Sequence, residues 1–387
     1  MDTVDLPASE TASRDTAMQA YSTGILPCQT IAELIGEGEI ALAEDLAADQ
    51  LQPASLDLRL GPVAYRVRAS FLPGVGGTVR DKIDSFTMHR IDLTDGAVLE
   101  KGCVYIVPLL ESLKLRARTS AMANPKSSTG RLDVFTRVIT DGATEFDRIE
   151  AGYKGPLYAE ISPRTFSILV RQGSRLSQLR LRRGSPQISD TAMRRLHERA
   201  PLVATDGGEA NIDKGIAVSV DLAGNPDTGI VGYRARHHAG VIDLERVGEY
   251  EIDDFWDVIP ARKERSLILD PDDFYILASR EAVSVPPDHA AEMRPYDPLV
   301  GEFRVHYAGF FDPGFGHDAA GGAGSRAVLE VRSHDVPFLL EHGQVVGRLM
   351  YERLTEIPER LYGADLRSNY QRQGLKLSKH FKSADPA

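Results

Sequence analysis

The stretch "AVLEKGCVYIV" at Ala97–Val107 returns as "SLILDPDDFYIL" at Ser266–Leu277, with Tyr105 and Tyr275 standing 170 positions apart. The same offset carries "GPLYAE", ending at Glu160, onto "SRAVLE", ending at Glu330. "SLDLRLG" at Ser55–Gly61 is echoed by "SVDLAG" at Ser219–Gly224, and "IDL" occurs at Ile91–Leu93 and Ile242–Leu244. A chain that repeats itself predicts two copies of one fold. The copies differ in their polar residues: Ser127, Ser128 and Arg131 form a Ser-Ser-x-x-Arg run only in the first, and Asp312–Gly314 an Asp-Pro-Gly turn only in the second. That division predicts one site built from both.

Around these stretches the apolar period is two. Leu56, Leu58 and Leu60 alternate with Asp57 and Arg59, and Phe166, Ile168 and Val170 alternate within "RTFSILVRQG". Short alternating runs punctuated by Gly and Pro predict a mainly β fold of two barrels with few short helices. A helix is expected after Cys28, where Ile31, Leu34 and Ile35 share a face before Gly36 and Gly38, and a connecting helix after Ser189, ending near Ala200. The expected organisation is a flexible extension over 1–20, a first barrel over 21–183, a linker with the helix over 184–211, a second barrel over 212–360 and a C-terminal closing tail over 361–387. The second copy has two additions: an acidic, aromatic insertion at 245–264 and "GHDAAGGAGSRA" before Glu330, whose glycines suit either a lid or a tolerated surface loop.

At 387 residues the chain is long for one core. A net charge of -11 argues against a nucleic-acid or anionic-membrane partner. No apolar run approaches the ~20 residues needed to cross a bilayer, and the acidic N-terminus is unlike a secretory signal. Cys28 and Cys103 form neither a disulfide framework nor a thiolate zinc site, so a soluble cytoplasmic protein is expected. His-Glu-x-x-His, the paired motifs of zinc nucleobase deaminases and a Gly-x-Ser-x-Gly elbow are all absent from the sequence.

The small donors and cations of "NPKSSTGRLD" (Asn124–Asp133) suit an anion site or a solvated loop. Asp312 reads as a turn cap or as a ligand contact beside Phe310 and Phe311. Glu330, after apolar neighbours in "AVLEV", reads as a partly desolvated general base or as a strand-end residue facing water.

Taken together, "PASLDLRLG", "SSTGR", "AGFFDPGFG", "AVLEVRSHDVPFLLEHGQVVGRLMYERL" and "SNYQRQG" resemble the dCTP deaminase branch of the dUTPase-like superfamily, over most of Ile25–Phe381 and as two copies. The resemblance implies two tandem dUTPase-like distorted β-barrels, a site at a barrel–barrel interface and a homo-oligomer. It implies hydrolytic deamination of dCTP to dUTP and ammonia by glutamate-activated water, without catalytic zinc, with Mg2+ only as counterion of the triphosphate. Carried over residue by residue, Glu330 is the general base, Ser127 and Arg131 order the water and stabilise charge, and Ser128 completes their motif. Ala308 and Asp312 meet base and sugar, while Tyr362 and Gln373 close over the nucleotide. Glu160 is expected to be vestigial or structural, because the second copy has "DPLVGE" where the first has "SSTGRL". The rivals are a bifunctional deaminase–diphosphatase, a dUTPase and a catalytically silent deoxynucleotide-binding regulator.

Overall fold

The computed structural model describes residues 21–205, 209–295, 303–306, 309–333, 336–363 and 374–382. Alternation of apolar and polar residues gives short antiparallel strands, and these close into two distorted barrels. In the first, one sheet runs 148–149, 119–125, 175–183, 55–59, 51–52, and a second runs 134–140, 154–163, 104–114, 63–67, 87–92. In the second, the corresponding orders are 216–219, 345–353, 289–295, 310–311 and 256–260, 230–235, 274–283, 325–333, 303–306. Among the described residues no helix is long and apolar enough to cross a membrane.

Helices are few because few segments have a 3.6-residue apolar period. Cys28–Gly36 buries Ile31 and Leu34, and Asp190–Arg199 buries Met193 and Leu196. Ser189 caps the latter, its Oγ accepting from the Ala192 N–H at 3.3 Å, and Asp190 accepts from the N–H groups of Lys214 and Gly215, which ties the linker to the second barrel. Val79–Phe86, capped by Thr78, is a helix that the sequence reading did not anticipate.

Each barrel has its own apolar core. Leu56, Leu58, Ala123, Leu179 and Leu181 belong to the first, and Ile216, Val218, Leu277, Leu329 and Leu349 to the second. A third cluster joins the barrels, uniting Tyr105, Leu132 and Phe166 with Tyr233, Trp256, Phe274 and Phe381. The seam is therefore as dry as a barrel interior, which sets the electrostatics of anything polar placed in it.

The strand register corrects two of the sequence echoes. Opposite Leu58 and Val218 stand Ser177 and Gly347, which are themselves 170 apart, so Arg59 corresponds to Ser219 and the Ser55/Ser219 match is offset by four residues. The carboxylate partners agree: Arg59 N and Nε donate to Glu111 at 2.8 Å each, as Ser219 N and Oγ donate to Glu281 at 2.8 and 2.6 Å. Ile91 pairs within the first barrel, whereas Ile242 joins Ile168 of that same barrel from the second, so the two "IDL" triplets are not equivalent. Three-residue matches are too short to outweigh a ladder register.

The glycine-rich hairpin is a tight turn rather than a loose tip. Gly324 N donates to Gly316 O and Gly322 N to His317 O, both at 2.8 Å, and a Cβ at Gly322 would lie 2.4 Å from the Gly316 backbone. The glycines serve close approach here.

Candidate active site

The Ser-Ser-x-x-Arg run follows the strand Thr119–Pro125. Pro125 ends the ladder, Lys126 is extended, and Ser127–Gly130 make one helical turn in which Arg131 N donates to Ser127 O at 3.1 Å. Asp133 then closes the turn in the left-handed region at φ 55. This geometry aims the Arg131 side chain across the seam, where it is buried.

Glu330 meets it from the second barrel. It lies inside the strand Ser325–Ser333, neither at its end nor facing water, and is buried. Arg131 Nε stands 3.9 Å from Glu330 Oε1 within this one chain. Burial pushes the Glu330 carboxyl up to about 8, with the Arg131 charge opposing that rise only in part. A carboxyl poised near neutrality in a dry, cation-lined seam suits proton transfer.

A second ionic contact crosses the same seam. Asp312 opens the turn through Gly314, whose φ of 94 calls for glycine, and Phe315 N donates to Asp312 O at 3.0 Å. The Asp312 carboxylate accepts from Arg180 Nη2 at 3.0 Å, and Arg180 also donates to Ala291 O at 3.1 Å and lies 3.9 Å from the Phe310 ring centroid. Burial raises the Asp312 carboxyl, and Arg180 counters it. Tyr362 N donates to Pro313 O at 2.9 Å and its ring packs on Phe315 at 5.7 Å, so Tyr362 joins the Asp312 turn. The structure thus groups Arg131 with Glu330, and Asp312 with Tyr362, while Ser128 is buried in the helical turn that precedes Arg131. Ser127 is half-buried at the start of the helical turn, while Ala308 and Gln373 lie outside the described residues.

The end of the chain supports the helical turn from below. Lys376 O accepts from Arg131 Nη1 at 3.1 Å, and Ser378 Oγ donates to Ser128 O at 2.8 Å. Leu377 and Phe381 are buried in the seam cluster, with Phe381 against Tyr250, Phe255 and Trp256. The acidic, aromatic insertion of the second barrel therefore holds 374–382 in place. His380 sits 2.9 Å from Ser378 Oγ and 3.1 Å from Leu244 O, and burial lowers its imidazole to about 4.

These contacts fit what family comparison finds. A family model for the N-terminal domain of 2'-deoxycytidine 5'-triphosphate deaminase matches residues 22–185, and one for its C-terminal domain matches 189–381. The chain belongs to the dCTP deaminase family. A crystal structure of 2'-deoxycytidine 5'-triphosphate deaminase from Agrobacterium tumefaciens is 61% identical, superposes with a TM-score of 0.83, and is covered over 100% of its length by 86% of this chain. Curated dCTP deaminase family relatives are more distant and align with less than half of this chain. The dCTP deaminase of Halorubrum lacusprofundi is 28% identical over 158 residues, 40% of this chain and 75% of its own. The dUMP-forming dCTP deaminase of Leifsonia xyli subsp. xyli is 33% identical over 124 residues, 30% of this chain and 57% of its own.

Sequence reasoning missed several polar residues of this dCTP deaminase family seam. Arg180 lies between Leu179 and Leu181 in a nine-residue strand. The alternation puts it on the face away from the first core, but only the second barrel makes that face buried. Lys126 pairs with buried Asp57, which Arg175 approaches to 3.7 Å. Burial, and after it the charges of Lys126 and Arg175, lower the Lys379 amine.

Proposed function

We propose that this protein deaminates dCTP to dUTP and ammonia at the seam between its two barrels. The observation that carries the proposal is the buried approach of Arg131 to Glu330, a desolvated carboxyl and a fixed cation contributed by different copies of the fold. In this reading the Glu330 carboxylate takes a proton from water as the water oxygen bonds to C4 of cytosine. Glu330 returns that proton to N3, then carries the proton of the new C4 hydroxyl to the amine, so that the C4 carbonyl forms as the C4–N bond breaks and ammonia leaves. Arg131 stabilises the charge that builds around C4, and the Ser127–Gly130 turn orders the attacking water, an electrostatic role suited to fixed donors in a dry site.

Asp312 would meet the deoxyribose, with Arg180 fixing its position. Ala308 would read the base edge, and Tyr362 and Gln373 would close over the nucleotide. Lys126 and Arg175, which Asp57 and Asp49 hold in ion pairs, and Lys379 would meet the triphosphate, which enters with Mg2+ as part of the substrate. The dUTP formed would feed dUMP and dTTP synthesis.

The test is ammonia release from dCTP by Glu330→Gln. That variant should still bind dCTP while losing turnover by roughly 10²–10⁴-fold; ordinary turnover would refute the assignment. A second reading, continued hydrolysis of dUTP to dUMP, is favoured by the dUMP-forming relative. Pyrophosphate release from dCTP would select it, and stoichiometric dUTP without pyrophosphate would select simple deamination.

A further inference from the structure

Two residues beyond Arg131 and two beyond Glu330, a third ion pair crosses the seam with the charges of the first reversed. Between Arg131 and Asp133, Leu132 turns into the apolar seam cluster, while Asp133 meets Arg332. We propose that Asp133 and Arg332 are a positioning pair that fixes the register in which Arg131 meets Glu330; this rests on the deamination reading above.

Glu330 and Arg332 occupy alternate positions of one strand and so share a face. Facing them, Arg131-x-Asp133 presents plus then minus where Glu330-x-Arg332 presents minus then plus. Any slip of one barrel along the other would bring like charges together. Arg332 Nη2 donates to Asp133 Oδ2 and also to Thr165 Oγ1 at 2.9 Å, Thr165 Oγ1 donates to Asp133 Oδ2 at 2.6 Å, and Arg332 Nη1 donates to Asp272 O. The arginine thus joins both barrels with its two terminal nitrogens engaged, and Asp133 and Arg332 are both buried.

Stability is a poor reason for such a pair, because desolvating two ions offsets most of their attraction. Specification of a single register is the use that fits this geometry. The repeat supplies a control: at the first-barrel position equivalent to Arg332, two residues beyond Glu160, stands Ser162. The clamp accompanies only the glutamate that faces Arg131.

The experiment measures ammonia release from dCTP across about pH 6–9.5 for Asp133→Asn, Arg332→Gln, the double variant, Arg332→Lys and Thr165→Val, with thermal unfolding of each in parallel. Each of the first two should lower kcat about 10–100-fold with KM within about threefold, a loss of transition-state alignment. The apparent pKa of kcat/KM should move upward as Arg131 withdraws from Glu330. The double variant should be no worse than the poorer single one, and Arg332→Lys should recover part of kcat. Thr165→Val, which keeps the fold's shape, should lose about three- to tenfold with the same direction of pH displacement; it carries the test if the charge variants fail to fold. Unchanged kcat and pH profile alongside a lower unfolding temperature would overturn the proposal and leave a structural tie. A wild-type protein releasing no ammonia would overturn the deamination reading, and this proposal with it.

Discussion

Glu160 and Glu330 occupy the same position of the repeat and have opposite surroundings. Glu160 is neutralised within its own barrel: Oε1 accepts from Arg137 Nε at 3.2 Å and from Nη2, and Oε2 accepts from Ser70 Oγ at 2.7 Å. Arg137 stands opposite Glu160 in the ladder and lies 3.4 Å from the Phe146 ring centroid and 4.6 Å from that of Phe135. Glu330 has the other barrel's Arg131 at 3.9 Å and a carboxyl held near 8.

The connections explain the difference. In the first barrel, the segment between Val67 and Thr87 folds back over its own sheet and delivers Ser70 to Glu160. In the second, the corresponding segment between Ala235 and Trp256 crosses to the first barrel. There Ile242–Asp243 pair in parallel with the strand Ile168–Val170, Arg171 binds Asp243 at 2.7 and 3.0 Å, and Tyr250 and Phe255 pack on Phe381. One connection stays on its own barrel and the other bridges to its neighbour.

The widest contrast to attack is catalytic. Glu330→Gln should lose roughly 10²–10⁴-fold in kcat, whereas Glu160→Gln should stay within about threefold when ammonia release is measured. If the Glu160 variant were the inactive one, the roles of the barrels would be reversed.

The same pair should cross over in stability. Glu160→Gln breaks a buried ion pair and should cost about 3–5 kcal/mol in denaturant unfolding. The Glu330 carboxyl is raised on folding, so its contribution to stability is complete below its unfolded pKa and declines as pH rises toward about 8. The stability of Glu330→Gln relative to the native protein should therefore increase as pH rises toward about 8, by about 1.4 kcal/mol for each unit by which the carboxyl is raised. A pH-independent difference would show that Glu330 is not desolvated.

A third measurement sharpens the electrostatic half of the comparison. With the carboxylate as the active form, kcat/KM should climb with pH to a plateau above about 8, and that limb should be absent from the residual activity of Glu330→Gln. The smallest effect should come from the chain end. Ser378→Ala removes one hydrogen bond to Ser128 O and should lower kcat about three- to tenfold, consistent with a contact of about 1 kcal/mol. Unchanged kcat would mean that the Ser127–Gly130 turn is held without it.

Much of this was legible in the residues. Alternation at Leu56–Leu60 and Phe166–Val170 specified strands, the 170-residue offset specified two copies, and the unequal distribution of Ser127, Ser128, Arg131 and Asp312 pointed to a composite site. Arg180, Asp133, Arg332 and Ser378 were not legible. Each sits in an ordinary local context, and each is buried only because a segment distant in sequence covers it. The short "IDL" echo misled because three residues of similarity carry less information than the register of one ladder.

The sequence by itself determined the elements and their duplication, since periodicity, turn residues and side-chain branching act locally. Only the tertiary structure decided which glutamate is paired within its own barrel and which faces Arg131. That choice depends on where two long connections lie and on how much water they exclude, and desolvation and ion pairing are properties of the assembled seam.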